Sequence, residues 1–149
     1  MAKMKKVKIT LVVSEYNREI TRKLEESAHQ ELKKTGVREN QISVFYAPGA
    51  FELPYLCQRV IKEFKPDGII ALGCVIKGET PHFDFIASAC SNGIMNVSLK
   101  THIPISFGVL TPNNLAQARD RVKGGKRGDK GVEATRTLLK LLQSWKRSQ

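Results

Sequence analysis

The chain has 149 residues, 41% hydrophobic and 26% charged, enough apolar material for one domain with a buried core. No apolar run approaches the ~18 residues of a membrane span. No small-residue cleavage site follows the basic start, so we expect a cytoplasmic protein without a membrane partner. The three cysteines, Cys57, Cys74 and Cys90, lack the paired spacing of a zinc site and indicate buried thiols; we expect no metal.

The formal net charge is +11, and the excess lies at the two ends of the chain. Residues 1–10 carry four lysines and no acid, residues 117–149 carry ten basic side chains against three acidic ones, and residues 11–116 balance at eleven each. Surface solvation, an anionic substrate and nucleic acid are the competing interpretations. Because aromatics are only 7% and do not interleave with the basic residues, we favour solvation and expect no nucleic-acid partner.

Strand and helix signals alternate four times along the chain. Apolar, β-branched runs predict strands over residues 8–13, 42–46, 68–76 and 104–110. Helical spacing predicts helices from residue 20 to a glycine stop at 36, and over 52–64, 82–100, 115–121 and 132–145. The alternation predicts a flavodoxin-like, three-layer αβα sandwich with a four-stranded parallel sheet. We take residues 1–149 as a single domain that begins with a short basic segment, residues 1–7.

Ligands of parallel sheets bind at the carboxyl ends of strands, so the loops after the strands are the places to search. After the first strand, Tyr16 offers an aromatic face and Asn17 a donor and an acceptor, although helix capping by Asn17 is the simpler interpretation. After the second strand, Gly49 lets the backbone approach a ligand closely. Glu52, further along this loop, either accepts from ligand hydroxyls or merely favours the start of a helix.

The loop after the third strand has the pattern most typical of anion binding. Lys77-Gly-Glu-Thr-Pro-His82 is a short glycine loop before a helix, with a hydroxyl and a cation nearby, and it has neither the Walker nor the GxGxxG spacing. His82 is the one histidine placed in a strand-end loop, where an imidazole can shuttle protons; a cap or packing role is the commoner use of a lone histidine. After the fourth strand, Phe107 is more often a core residue than a stacking partner.

Six motifs in order, from about residue 9 to residue 142, resemble the 6,7-dimethyl-8-ribityllumazine synthase family. They are Tyr16-Asn-Arg-Glu-Ile-Thr21, Pro48-Gly-Ala-Phe-Glu-Leu-Pro54, Leu72-Gly-Cys-Val-Ile-Lys-Gly-Glu-Thr-Pro-His82, Phe107-Gly-Val-Leu-Thr111, Gln117-Ala118 with Arg121, and Asp129-Lys-Gly131. The family condenses 5-amino-6-(ribitylamino)uracil with 3,4-dihydroxy-2-butanone 4-phosphate to give 6,7-dimethyl-8-ribityllumazine, phosphate and water, with no cofactor. The resemblance implies a transferase of riboflavin biosynthesis; the alternative is a weakly catalytic relative that binds riboflavin or lumazine.

Carried over by position, the resemblance implies a role for each matched residue. His82 matches the proton-transfer residue of the family. The phosphate would be held by Gly78, Glu79, Thr80 and Arg121. Substrate binding is implied for Tyr16, Asn17, Ala50, Phe51, Glu52, Val75, Ile76, Phe107 and Lys130. In the family, the segment equivalent to Phe107, Arg121 and Lys130 comes from a neighbouring subunit and completes the site.

The sequence departs from the family pattern in ways that bear on binding and assembly. Tyr16 stands where phenylalanine or tryptophan is usual, Lys77 replaces a common arginine, and Asp129 replaces a common asparagine. Only eight residues precede the first strand, so we expect the contact that a longer arm makes with a neighbour's sheet in capsid-forming members to be unavailable here. The loop at residues 123–129 is also slightly longer than in those members. These departures predict a homopentamer rather than a sixty-subunit shell.

Overall fold

Strands and helices alternate through residues 6–147, the part of the chain that the computed structural model describes. The strands are β1 (Ile9–Ser14), β2 (Ile42–Ala47), β3 (Gly68–Cys74) and β4 (Ile105–Leu110). The helices are α1 (Arg18–Lys34), α2 (Leu53–Phe64), α3 (His82–Thr101), α4 (Leu115–Arg119) and α5 (Lys130–Arg147), with 3₁₀ turns at Glu39–Gln41 and Ala50–Glu52. Most of the predicted basic N-terminal segment lies outside the described residues, and the single-domain assignment over residues 1–149 stays a prediction.

The four strands form one parallel sheet in the order β2-β1-β3-β4. The predicted three-layer α/β fold is confirmed. β1 and β3 occupy the centre and are buried along their whole length, which is why their sequences are continuous apolar runs rather than alternating ones. From β1 the chain continues to β2 at one edge of the sheet, and from β3 it continues to β4 at the opposite edge. The order therefore switches between β1 and β3, which is where such sheets bind ligands.

The sheet separates two apolar cores. On one face, Leu11, Val13 and Leu72 pack with the inner residues of α1 and α5, including Leu24 and Leu138. On the other face, alternate strand residues pack against α2 and α3; this core includes Val12, Ala71, Leu53, Cys57 and Cys90. Because successive strand residues point to opposite faces, both helix layers are held by the same central strands.

Several element ends differ from the sequence prediction. β3 ends at Cys74 instead of residue 76, where its pairing with the last residue of β4, Leu110, also ends. α1 begins two residues early, at Arg18, and α5 also begins two residues early, at Lys130. The predicted glycine stop is confirmed: α1 ends at Lys34, and Gly36 adopts a φ of 99°, a left-handed conformation that suits glycine.

The three cysteines are buried and free, as the sequence predicted. Burial raises the pKa of Cys57 to about 12, helped by the nearby Cys90, and burial alone raises that of Cys74 to about 12 and that of Cys90 to about 11. All three thiols are therefore protonated at neutral pH and are poor nucleophiles. None of the helices within residues 6–147 has the length and apolar composition needed to cross a membrane.

Candidate active site

A cleft of about 750 Å³ opens at the carboxyl ends of β1, β2 and β3, and we call it the strand-end cleft. Its position is the one predicted for a ligand site, beside the switch in strand order. It is lined by Tyr16, Asn17, Gly49, Ala50, Phe51, Glu52, Cys74, Val75, Ile76, Gly78, Thr80, His82, Phe83 and Ile86. Aromatic and aliphatic surface thus surrounds a few polar groups, the usual composition of a small-molecule site.

Backbone hydrogen bonds just past the ends of β1 and β2 position two aromatic side chains at the mouth of the cleft. The N–H of Glu15 donates to the carbonyl of Ala47 at 2.8 Å, and the N–H of Tyr16 donates to that of Pro48 at 3.1 Å. Tyr16 is thereby fixed beside the turn that carries Phe51. The two side chains are 73% and 57% exposed, although rings of this size are normally buried. Two open aromatic faces at a cleft mouth can stack on a planar ligand.

Asn17 ties the ends of β1 and β3 together. It adopts the left-handed conformation, with φ of 62°, which asparagine tolerates better than most residues. Its Nδ2 donates to the carbonyl of Cys74 at 2.8 Å, and its side chain makes no capping hydrogen bond to α1. Asn17 is the N-cap residue of α1, as the simpler sequence interpretation expected, but its side chain does not cap the helix. The amide instead holds two strand ends at a fixed spacing, with Asn17 forming part of the cleft wall between them.

Glu52 is the carboxylate of the strand-end cleft. The turn Ala50–Glu52 folds so that the N–H of Glu52 donates to the carbonyl of Gly49 at 3.3 Å. A Cβ added at Gly49 would lie 3.2 Å from Oε1 of Glu52, so a larger residue there would press on the carboxylate. Glycine thus leaves room for Glu52 to sit close to the backbone, where its oxygens can accept hydrogen bonds from ligand hydroxyls.

The loop from Gly78 to the start of α3 has open space around it and leads to the backbone amides of the helix N-terminus. A Cβ added at Gly78 would meet nothing within 4 Å, so the packing of this chain does not require glycine there. The N–H of His82 donates to the hydroxyl of Thr80 in a long hydrogen bond of 3.4 Å, and the N–H of Asp84 donates to the carbonyl of Pro81 at 3.0 Å. The N-cap residue, Pro81, makes no side-chain cap, and the positive end of this 20-residue helix favours an anion at the loop. The exposed imidazole of His82 begins the same helix and also lines the cleft.

A second cleft, of about 340 Å³, lies beyond the end of the edge strand β4, and we call it the basic cleft. It is lined by Val109, Leu110, Thr111, Pro112, Gln117, Arg121, Arg127, Lys130 and Glu133. Three cations thus face one carboxylate. The ion pairs found among residues 6–145 include none of these three cations. Since three cations line the basic cleft with one carboxylate, the cleft keeps a net positive charge, as expected for a surface that receives an anion.

The two clefts lie on opposite sides of one backbone pairing. Beyond β3 and β4, the N–H of Val75 donates to the carbonyl of Leu110 at 2.8 Å, and that of Lys77 donates to Pro112 at 3.0 Å. Val75 lines the strand-end cleft, whereas Leu110 and Pro112 line the basic cleft. The clefts share no lining residue, so His82 and Arg121 of one chain do not meet in a single cavity.

The structure brings together most of the residues singled out by the sequence. Ten of them line the strand-end cleft, and Arg121 and Lys130 line the basic cleft. Glu79 is exposed between Gly78 and Thr80 and lines neither cleft, and the same holds for Phe107, which lies on the edge strand β4. The binding and catalytic roles of all of these residues remain predictions.

Some cleft residues were not proposed as site residues from the sequence: Gly49, Cys74, Phe83 and Ile86 in the strand-end cleft, and Gln117, Arg127 and Glu133 in the basic cleft. Helical spacing was a usable signal for Ile86, which lies four residues after His82 and hence on the same face of α3. Arg127 and Glu133 gave no comparable signal, since their approach to Arg121 depends on how the loop before α5 folds.

A parallel α/β sheet with a polar, histidine-bearing cleft at its switch point is the arrangement of an enzyme that acts on a small polar substrate. The family model for 6,7-dimethyl-8-ribityllumazine synthase matches residues 6–146. A protein of that name from Chlorobium limicola is 45% identical over 142 residues, which cover 95% of this chain and 91% of the relative. Another, from Helicobacter pylori, is 43% identical over 135 residues, covering 91% and 86%. The chain belongs to the 6,7-dimethyl-8-ribityllumazine synthase family and is a transferase of riboflavin biosynthesis.

Proposed function

We propose that the protein condenses 5-amino-6-(ribitylamino)uracil with 3,4-dihydroxy-2-butanone 4-phosphate. The products are 6,7-dimethyl-8-ribityllumazine, one phosphate and two waters. The observation that carries this proposal is the content of the strand-end cleft. Two exposed aromatic rings, a carboxylate and an amide lie in the same cleft as a glycine–threonine loop and the imidazole of His82. A flat pyrimidine with a hydroxylated side chain and a sugar phosphate would use each of these groups.

Each substrate has its own place in the cleft. The pyrimidine stacks on Tyr16, and its ribityl hydroxyls bond to Glu52 and Asn17. The phosphate is held by the loop that contains Gly78 and Thr80, at the N-terminus of α3. Fixing both reactants in one cavity supplies part of the acceleration by itself, because a bimolecular encounter becomes an intramolecular one.

His82 moves protons between the bound reactants. The amine of the pyrimidine attacks the ketone and water leaves, giving an imine. A proton lost from the carbon next to the imine then allows phosphate to depart, and closure of the second ring releases the second water. Each step needs a proton removed or delivered near the phosphate loop, where His82 begins α3. One imidazole suffices, since the same group can accept a proton in one step and donate it in another.

A neighbouring copy of the chain completes the site. Arg121 and Lys130 of one protomer line its basic cleft, away from its own His82. We place the basic cleft of one protomer, together with Phe107 on the adjacent edge strand, against the strand-end cleft of the next. The guanidinium of Arg121 then binds the phosphate held by the Gly78 loop, in a geometry that suits arginine better than lysine.

The outer face of α3 supports the assembly. Between Asp84 and Lys100 the helix carries no charged residue. Phe85, Met95 and Leu99 on this helix are 70%, 58% and 66% exposed. Three large apolar side chains exposed on one uncharged helix favour a protein–protein contact there. A contact between different surfaces of two copies closes into a ring when the rotation between them divides a full turn, and we assign that ring as a homopentamer.

Sedimentation tests the assembly directly. A homopentamer has a mass of about 84 kDa, five copies of 16.7 kDa, whereas a sixty-subunit shell has about 1 MDa. We expect the smaller particle, working in the cytoplasm, where free thiols such as Cys57, Cys74 and Cys90 stay reduced. A particle near 1 MDa would refute the pentamer and leave the reaction standing.

Two matched histidine substitutions test the reaction. His82 and His102 lie at opposite ends of α3, about 30 Å apart for a helix of 20 residues. We expect His82→Asn to lower kcat by about 10²-fold, the low end for a lost acid–base group, because positioning of the reactants survives. His102→Asn keeps wild-type activity, since asparagine tolerates the φ of 62° there. Lumazine formation is followed by absorbance; wild-type protein that is inert with both substrates contradicts the proposal.

Tyr16 supports a second candidate, a relative that retains riboflavin or lumazine and turns over poorly. Its ring is the most exposed large apolar side chain of the described residues, and its hydroxyl adds a polar contact that phenylalanine lacks. Yellow protein after purification, with negligible lumazine formation from the two substrates, would favour this candidate. Rapid turnover by colourless protein would favour the synthase.

A further inference from the structure

The loop between α4 and α5 holds Arg127 against the basic cleft. Gly124 and Gly128 adopt φ of 83° and 97°, and the N–H of Arg127 donates to the carbonyl of Asp120 at 2.7 Å. A Cβ at Gly125 would lie 2.4 Å from backbone atoms of Asp120, so the loop lies tightly on the end of α4. The N–H of Lys130 likewise donates to the carbonyl of Arg121 at 2.8 Å. The loop backbone thus fixes Arg127 and Lys130 next to Arg121.

Arg121 cannot offer its whole guanidinium to a ligand. Its Nη1 donates to the carbonyl of Gln117 at 2.9 Å, which orients the side chain and uses part of its donor fork. A phosphate monoester is close to a dianion at neutral pH and accepts more hydrogen bonds than the remaining donors supply. Arg127 lines the same cleft and is paired with no carboxylate among residues 6–145.

We propose that Arg127 is a phosphate-binding residue of the shared site, recruiting the dianionic substrate together with Arg121. The inference rests on the proposed function, since the phosphate is the one carried by the butanone substrate. Glu133 cancels one of the three charges around the cleft, so the loss of Arg127 halves the net positive charge from +2 to +1. Arg127 is exposed, so its contribution falls as salt is added.

Lys123 provides a matched control in the same loop. Its Nζ bonds to Oε1 of Gln30 at 3.3 Å, so it points towards α1, and it does not line the basic cleft. Lys123→Ala and Arg127→Ala each remove one positive charge from neighbouring positions. A difference between the two variants therefore reports the position of the charge rather than the net charge of the protein.

The experiment measures KM for each substrate at low and moderate salt. We expect Arg127→Ala to raise KM for the butanone phosphate by about three- to tenfold at low salt, with kcat and KM for the pyrimidine unchanged. We expect Lys123→Ala to leave all three unchanged and Arg127→Lys to restore most of the lost affinity. Equal KM values in Arg127→Ala and Lys123→Ala, or a fall in kcat alone, would overturn the inference.

Inorganic phosphate separates this inference from the proposed function. Calorimetric titration of the assembled protein with inorganic phosphate needs no turnover. We expect Arg127→Ala, with unchanged circular dichroism, to bind phosphate more weakly by the same factor as its change in KM, and Lys123→Ala to bind normally. Wild-type protein that binds phosphate but forms no lumazine would contradict the proposed reaction, whereas the proposed role of Arg127 in phosphate binding would still hold. Equal phosphate affinity in the two variants contradicts the role of Arg127 whether or not the protein is active.

Discussion

The strand-end cleft and the basic cleft are built from different parts of the fold. The strand-end cleft rests on three strand ends, joined by backbone hydrogen bonds such as Glu15 to Ala47 and by the bond from the Asn17 amide to Cys74. The basic cleft rests on the end of β4, which backbone hydrogen bonds join to β3, and on a loop and two helix ends, which side chains join to α1. Sites on regular elements are held more rigidly than sites on loops.

The side-chain contacts of the basic cleft span long stretches of sequence. Oδ2 of Asp129 accepts a hydrogen bond from Ser27 at 2.7 Å, and its Oδ1 accepts from the N–H of Gly131 at 3.0 Å at the start of α5. Arg119 on α4 makes two hydrogen bonds to Glu19 on α1, at 2.9 and 3.1 Å. The basic cleft therefore depends on α1 as a support. The strand-end cleft is thus held mainly by the sheet, whereas the basic cleft also depends on side-chain contacts between helices.

The largest test of this comparison separates the two clefts without unfolding either. Met95→Glu places a charge on the apolar face of α3, where assembly would have to bury it unpaired. We expect monomers with native circular dichroism and a loss of activity of about 10²-fold or more, because each cleft alone lacks its partner. Sedimentation and the lumazine assay measure the two effects. Met95→Leu should stay assembled and active; an active Met95→Glu monomer would show that one chain holds a complete site.

Mixed oligomers test whether the two clefts that form one site come from different chains. His82→Asn and Arg121→Ala are each expected to be nearly inactive alone. When the two chains are co-expressed and assemble at random, about a quarter of the interfaces join an intact strand-end cleft to an intact basic cleft. Activity per site should rise to about that fraction of the wild-type value. If both clefts of a site came from one chain, the mixture would be as inactive as its components.

The sequence indicated the sheet and the strand-end cleft because both follow from local patterns. The apolar run of β3 and the glycine after α1 each reflect a constraint that acts within a few residues. The strand-end cleft then followed from the rule that ligands bind at the carboxyl ends of parallel strands. Ten predicted residues line it.

The sequence could not indicate contacts that depend on packing between distant elements. Asn17 occupies the N-cap position of α1 that the sequence indicated, but its side chain bonds to a carbonyl 57 residues away instead of capping the helix. Ser27 and Asp129 are 102 residues apart, and nothing in either residue type predicts that the two will form a hydrogen bond. The approach of Arg127 to Arg121 likewise depends on how a glycine loop closes. Local propensity describes elements, whereas these contacts are decided by how α1, α4 and α5 pack together.

Asp129 offers a smaller test, confined to the basic cleft. Asp129→Ala removes the cap of α5 and the bond from Ser27, which should lower the free energy of unfolding by about 1–2 kcal/mol. Asp129→Asn keeps an acceptor for the α5 amides and should lose less. Denaturant unfolding measures the stabilities, and KM for the butanone phosphate shows whether Lys130 is still positioned. If Asp129→Ala is as stable as the wild type, the cap does not support the basic cleft.

The Glu19–Arg119 pair provides the smallest expected effect and a dependence on pH. The two hydrogen bonds from Arg119 lower the pKa of Glu19 below its ordinary value of 4.5, with a smaller charge contribution from Lys23. Folding therefore favours the ionised carboxylate. The stability that the pair adds is fully present above the unfolded pKa and is lost as the pH falls through the lower, folded value. Since the pair is exposed, its contribution is small and screened by salt.

Thermal unfolding of Glu19→Gln against the wild type measures this contribution. We expect a slightly lower Tm for the variant at pH 7, and a Tm difference that shrinks below pH 4.5 as Glu19 of the wild type becomes protonated. Added salt should shrink the difference at pH 7 as well. A Tm difference that is the same at pH 3 as at pH 7 would mean that the glutamate supports α4 by packing rather than by charge. In that case the hydrogen bond from Ser27 to Asp129 would be the polar attachment of the basic cleft to α1, with packing at Glu19 beside it.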